Sequence, residues 1–177
     1  MTYITQYNDE WPKRFEQIVG FLRDKLPEKC SIHHVGSTSI PGMPAKDIID
    51  VDIECPNGTT SSIVNVLGMN SYIHEGNKGI PSREAFHPEA RSPASELPHH
   101  HLYACDSRSP ELYKHLAFRD YLLSHEQRAK WLAMQKIVID RSAESRDAYI
   151  EGKGDVYNVI TREALSWAIH RLDQIVG

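Results

Sequence analysis

Two short patterns in this chain, a glycine-serine pair and a pair of acids, are of residue types that together can do phosphate chemistry. Gly36-Ser37 is succeeded, after the twelve residues Thr38 to Ile49, by Asp50-Val51-Asp52. Glycine lets a strand turn sharply and lets a phosphate approach backbone N–H groups, and serine adds a hydroxyl. Two carboxylates at i and i+2 of an extended segment point to one side, close enough to share a divalent cation. Mg²⁺ is held by one or two carboxylates together with substrate phosphate oxygens, not by a complete protein cage. The patterns together can hold a nucleoside triphosphate with Mg²⁺ or Mn²⁺, with Asp50 and Asp52 as metal ligands and catalytic acids and Gly36 and Ser37 on phosphate. In a two-ion displacement, one ion activates the attacking oxygen and the other neutralises the leaving pyrophosphate.

Other residues can support that chemistry. Lys46 precedes the acids closely enough to reach a bound phosphate. Arg83, in a segment that reads as a long loop, offers a planar fork suited to phosphate or carboxylate. Lys153 follows Tyr149 by one helical turn, so a cation and an aromatic ring could meet a phosphate and a base. Of ten histidines, His99, His100 and His101 run together. On a strand His99 and His101 face one side and His100 the other, so the run is no zinc motif. His101 or His100, with His33 or His34, could ligate a metal or move a proton near the acids; His34, His101 and Tyr103 are auxiliary candidates. Each feature also has an ordinary structural reading: a plain turn, a solvated strand face, a surface lysine, a loop salt bridge, hydrogen-bonded histidines. Trp11, Trp131 and Trp167 stand at helical core spacing and read as packing.

The elements that must position these residues follow from periodicity. Trp11-Pro12 opens a helix with Phe15, Ile18, Val19, Leu22 and Leu26 on one face, closed by Pro27. Cys30 to Val35 reads as a strand, and Asp47 to Glu54 as another whose apolar and acidic residues alternate. Pro56-Asn57-Gly58 is a turn, Ser62 to Leu67 a helix ended by Gly68, and Asn70 to His74 a strand. Glu75 to Pro98, rich in Gly, Pro, Ser and charge, reads as a loop covering the site and bringing Arg83 toward it. His99 to Asp106 is a further strand. Ser109-Pro110 caps a helix with Leu112, Leu116, Arg119 and Leu122. Glu126 to Arg141 is a second helix, carrying Trp131, Met134, Ile137 and Val138. A third begins near Asp155, with Val156, Ile160, Ala164, Trp167, Ala168, Leu172 and Ile175 on one face.

Strands early and helices late imply an α+β fold, and 177 residues suffice for one domain over residues 1–177 that buries about 70% of its extended surface. With 40% hydrophobic and 25% charged residues and a net charge of −4, the composition argues against a polyanion-coating surface, so no extended nucleic-acid interface is expected. No apolar run approaches the roughly 18 residues of a membrane span, and the first residues lack the basic start and apolar middle of a signal peptide. A cytoplasmic location is expected. Cys30, Cys55 and Cys105 lack disulfide or zinc spacing and read as small buried residues. Oligomeric state is not legible.

The joint pattern, hydrophobic-Gly-Ser followed by Asp-hydrophobic-Asp-hydrophobic, resembles the signature of the polymerase-β-type nucleotidyltransferase superfamily. Tyr7-Asn-Asp-Glu-Trp-Pro, His34-Val-Gly-Ser-Thr-Ser-Ile-Pro-Gly-Met-Pro-Ala-Lys, Gly79-Ile-Pro-Ser-Arg-Glu-Ala-Phe86, His100-His-Leu-Tyr103, His115-Leu-Ala-Phe-Arg-Asp-Tyr-Leu122 and Tyr149-Ile-Glu-Gly-Lys153 are similar, in the same order, to the GrpB family. The resemblance runs from about Tyr7 to Val159. It implies a small mixed β-sheet flanked by helices with a helical C-terminal half, Gly36 and Ser37 as the phosphate-holding pair, and Asp50 and Asp52 as metal carboxylates. Some relatives are joined to dephospho-coenzyme A kinase, which implies a link to nucleotide or coenzyme chemistry. The superfamily often adds a third acid on a later strand, where this chain has His99, His100, His101 and Tyr103, with Asp106 at the end. Asp47 stands where relatives commonly have proline. The expected activity is Mg²⁺-dependent nucleotidyl transfer, or nucleotide binding, on a phosphorylated small molecule. The alternatives are a non-catalytic phosphate-ligand or accessory module and a His/Asp metal-dependent hydrolase.

Overall fold

Alternation along residues 49–55 makes a strand with one apolar and one acidic side, and the rest of the sheet is built around that asymmetry. The computed structural model describes residues 2–176, with side chains through Arg171. In chain order the elements are α1 (Trp11–Arg23), β1 (Ser31–Val35), a 3₁₀ turn (Ser37–Ser39), β2 (Ile49–Cys55), α2 (Thr60–Gly68), β3 (Tyr72–His74), β4 (Arg83–Pro88), a second 3₁₀ turn (Pro93–Glu96), β5 (His100–Asp106), α3 (Pro110–Ser124), α4 (Glu126–Ser142) and α5 (Arg146–Val176). This is the expected α+β class: a small mixed sheet flanked by helices, with a helical C-terminal half. Backbone packing groups the chain into two units: Asp9–Val35 with Ile48–Tyr113, and Met1–Asn8 with Gly36–Asp47 and Lys114–Gly177.

The first unit holds the five-stranded sheet, in the order β1-β2-β5-β4-β3. β2 and β5 are parallel and the other pairs antiparallel. Asp50 lies opposite Val35 and His101, and Asp52 opposite His33 and Tyr103. Residues directly opposite share a face, so Asp50, Asp52, Glu54, His33, His101, Tyr103, Cys105 and Arg83 lie on one side. The other side carries Ile49, Val51, Ile53, Leu102, Ala104 and Phe86, all 3% exposed or less. It packs with α1 and α2, whose Ile18, Leu22, Ile63 and Leu67 are fully buried. Each such side chain contributes about 1.5–3 kcal/mol on leaving water. Phe15 stacks on His34 and Phe21 meets Tyr72 edge-on across the same face. The three cysteines are free and buried, as expected.

The second unit packs Ile40 and Met43 with Ala117, Phe118, Tyr121, Leu122, Leu132, Ile160 and Ala164. Trp131 and Trp167 pack against that cluster, which agrees with their reading as packing residues. Ser109 and Ser145 cap α3 and α5, their hydroxyls accepting the N–H groups of Leu112 and Ala148.

Three expectations need correction. Glu75 to Pro98 is not an irregular loop: it contains β4, and Arg83, Ala85 and Phe86 are buried in the sheet. Turn-forming residues on both sides of this six-residue strand masked it. The face of α4 is not that of Met134 and Val138, which are 59% and 58% exposed; the buried stripe is Leu132, Lys136 and Asp140. Two of those three are charged, and their hydrogen-bond partners make burial tolerable. Finally, α5 starts at Arg146, not near Asp155. Gly152 and Gly154 argue locally against helix, yet α5 forms and packs on α4 at Gly152, against Ile139. Leu172 and Ile175, expected on its apolar face, lie outside the described side chains.

The two glycines give a test. Nothing lies within 4 Å of a Cβ added at Gly154, whereas one at Gly152 would stand 3.2 Å from Ile139 Cγ2. Alanine is the better helix former by about 1 kcal/mol. Gly154→Ala is therefore expected to stabilise by about that amount, and Gly152→Ala to give no net gain because Ile139 must shift. Thermal melts of both variants check this; equal stabilisation would show that α4 and α5 do not depend on a small residue at position 152.

Candidate functional site

The acidic face of the sheet is built by register. Asp50, at the second position of β2, pairs through Oδ1 with His101 Nδ1 at 2.9 Å, with the two side chains 33% and 50% exposed. Two residues on, Asp52 is fully buried. Tyr103 lies opposite Asp52, and its hydroxyl is held above its ordinary pKa by burial first and then by the Asp50 charge. The Arg83 guanidinium lies across the Tyr103 ring, 4.4 Å from its centre, and Arg83 is only 8% exposed. His33 Nε2 meets Glu54 Oε2 at 2.9 Å farther along.

Of the paired histidines on β1, His33 stands on the acidic face and His34 on the opposite one, stacked on Phe15 4.7 Å away. His34 thus does not join the acids. His100 also faces away: its Nδ1 donates to Pro98 O at 2.7 Å, which leaves Nε2 to accept from the Tyr72 hydroxyl at 2.9 Å. Burial lowers its pKa and keeps this ring neutral. Asp106 is no third acid for the site. It lies opposite Cys55 and its Oδ1 accepts from Thr60 Oγ1 at 2.6 Å and from the Gly58 N–H at 3.3 Å, anchoring the start of α2.

A second group of candidate side chains gathers around Ser37 in the helical unit. Gly36 has φ 71° and ψ −169°, a combination open essentially to glycine alone, so the residue type follows from the turn. Ser39 Oγ donates to Gly36 O at 2.7 Å, and the Thr5–Ala45 bridge ties down the far end of this segment. Ser37 Oγ accepts a hydrogen bond from Lys136 Nζ at 2.8 Å and is hydrogen-bonded to the Tyr157 hydroxyl. Lys136 is 2% exposed. Lys153 Nζ lies 4.5 Å from the centre of the Tyr157 ring, and Lys46 Nζ 6.0 Å from that of Tyr149. Tyr149 stacks on Tyr3, whose N–H donates to Asp140 Oδ1 at 2.6 Å. Burial, then the Asp140 charge, pushes the Tyr149 hydroxyl up to about 12.

The sheet thus gathers Asp50, Asp52, His101, Tyr103 and Arg83, and the helical unit gathers Ser37, Lys46 and Lys153. Lys153 covers Tyr157, not the Tyr149 expected beside it. Sequence reasoning missed Lys136, Tyr157 and Asp140. Leu132, Lys136 and Asp140, four residues apart, form the one readable trace, a stripe whose polar members need partners if that face is buried.

The donor set discriminates among metals. Among the described residues no group of three or more His, Cys, Asp and Glu side chains could hold an ion. Closed zinc-type coordination is therefore not offered. Two carboxylates two residues apart on one strand fit the partial donor set that Mg²⁺ or Mn²⁺ takes when a substrate supplies the remaining oxygens.

Comparison with known proteins gives consistent matches. The UPF0157 protein YqkA of Bacillus subtilis (strain 168) is 32% identical over 167 residues, which cover 93% of this chain and 47% of YqkA. This chain thus spans about half the length of that relative. A dephospho-CoA kinase of Mycolicibacterium paratuberculosis is 26% identical over 185 residues, covering 90% of this chain and 45% of that protein. The crystal structure of the conserved protein GrpB from Enterococcus faecalis superposes with a TM-score of 0.77 at 26% identity, over 93% of this chain and 98% of the other. The sequence profile described as GrpB protein matches residues 2–163, a stretch that includes Gly36 and Ser37, Asp50 and Asp52, and Lys46, Lys136 and Lys153, and the chain belongs to the GrpB family.

Proposed function

We propose that this protein binds a nucleotide or a related phosphorylated small molecule with Mg²⁺ or Mn²⁺, and transfers a nucleotidyl group to an acceptor. The observation that carries this reading is the common face of Asp50 and Asp52 on β2. A divalent ion bound there supplies charge neutralisation on phosphate oxygens. Asp50 and Asp52 hold the ion's protein side, and the His101 contact orients Asp50. Within the helical unit, Ser37, with Lys136 donating to its hydroxyl, and Lys46 and Lys153 beside their rings form that unit's own set of candidate phosphate donors. Tyr149 and Tyr157 offer apolar ring surface in the same unit. In such a reaction an acceptor oxygen bonds to the α-phosphorus, the bond to the bridging oxygen breaks, pyrophosphate leaves and the acceptor proton passes to water. No helix among the described residues is long and apolar enough to cross a membrane, and the cytoplasm is the compartment we assign.

A second reading, a binding or accessory module without turnover, is favoured by one observation: His101 and Tyr103 occupy the β5 positions opposite Asp50 and Asp52, where a third carboxylate would stand. A transition-metal hydrolase is disfavoured by the two-carboxylate donor set.

A thermal-shift screen of nucleoside triphosphates and coenzyme A precursors, with and without Mg²⁺ or Mn²⁺, tests the proposal. A ligand at about 100 times its dissociation constant adds about 2.7 kcal/mol of stability. The expected result is a shift that requires ligand and ion together. Shifts without ion dependence and without pyrophosphate release support the module, and a flat screen removes nucleotides from consideration.

A further inference from the structure

We infer that Arg83 anchors a second anion, a phosphoryl or carboxylate group carried by the acceptor molecule, distinct from the phosphates of the nucleotide. The inference rests on the nucleotide reading and names the chemical class of the other substrate.

Arg83 opens β4, is 8% exposed, and carries a planar guanidinium fork. Its guanidinium is 4.4 Å from the Tyr103 ring centre, and its Nε is buried without a hydrogen-bond acceptor among the described residues. No carboxylate among them lies within ion-pair distance. A ring satisfies the flat face of a guanidinium but not the N–H groups of its edge. Burying a charged donor without an acceptor is costly, and that cost is relieved by an anion at the edge. The planar fork matches two oxygens of a carboxylate or phosphate.

Position separates this anion from the nucleotide's. β5 lies between β4 and β2, while β1, which runs into Gly36, pairs with the other side of β2. Arg83 therefore stands across the acids from the strand that leads to the Gly-Ser turn. In register Arg83 is level with Cys105 and so with Glu54, the end of β2 away from Val35 and the turn that follows it. A single fork on the acidic face suits one anionic group better than a triphosphate.

The experiment titrates inorganic phosphate into ¹⁵N-labelled wild type and follows the Arg83 Nε–H resonance, which burial shields from exchange. A saturable shift of that resonance is expected. Phosphate affinity read by calorimetry should fall at least tenfold in Arg83→Met and Arg83→Lys, which keep the stem and, for lysine, the charge. A non-hydrolysable ATP analogue with Mg²⁺ should bind both Arg83 variants as it binds wild type. The inference is overturned if phosphate leaves the wild-type Arg83 signal unmoved, or if the Arg83 variants lose the analogue as fully as Lys136→Met does. If no nucleotide binds the wild type while the phosphate shift persists, the nucleotide reading fails and the assignment of this anion to an acceptor falls with it.

Discussion

Asp50→Asn and Asp52→Asn are each expected to remove the Mg²⁺ dependence of ligand binding while leaving the sheet folded. The substitution keeps size and shape and deletes one negative charge. If both carboxylates share one ion, losing either should weaken its binding about 100-fold, or roughly 2.7 kcal/mol. Stability should respond little. The Asp50–His101 pair has both side chains at least one-third exposed, and such a pair contributes about 1 kcal/mol at most. Against that loss stands relief of repulsion between two acids on one face. Thermal melts of wild type and both variants, with and without excess Mg²⁺, decide the matter. A lower melting temperature for both in the absence of metal, with an unaltered Mg²⁺ response, would show that the acids serve the fold.

Lys136→Met is expected to cost about 100-fold in nucleotide or pyrophosphate affinity with α4 intact. Methionine retains an unbranched apolar stem for this 2% exposed position and loses only the ammonium group. The hydrogen bond from Nζ to Ser37 Oγ disappears with it. Ser37→Ala removes the other partner, and a double-mutant cycle then reads the coupling. If lysine and serine hold the same phosphate, the combined loss should fall well short of the sum. Calorimetry with pyrophosphate supplies the numbers. Affinity kept within about threefold, alongside a marked drop in melting temperature, would make Lys136 a structural residue.

β2 could be read directly because its alternation is strict: every apolar residue of the strand is buried under the helices, and Asp50 and Asp52 share the other side. The single-residue alternation also separated His99 and His101 from His100. β4 was hidden because its code is short and carries Arg83 at a buried position, where sequence rules expect an apolar residue, between segments rich in glycine, proline and serine. The start of α5 was hidden for the opposite reason. Gly152 weakens the local helix signal yet is what Ile139 packs against, so tertiary contact overrides propensity. Lys136 escaped notice because a lone lysine in a charged helix reads as solvated; its hydrogen bond to Ser37, ninety-nine residues away in the chain, is a tertiary contact with no local trace.

The parallel pairing of β2 with β5 has a consequence for the birth of the molecule. Asp50 meets His101, fifty-one residues later, so β2 leaves the ribosome well before its neighbour exists. At about 5–20 residues per second, the delay is about 3–10 s. During that time β2 can pair only with β1, and Ile49, Val51, Ile53 and Cys55 lie on a strand-prone segment with one open edge, of the sort that self-associates. Asp50, Asp52 and Glu54, spaced between them, charge every second position and oppose stacking of one nascent chain on another. The carboxylates we propose as cation ligands in the finished protein thus also stand as gatekeepers of its synthesis, and neutralising them should lower soluble yield even where the purified variant is stable.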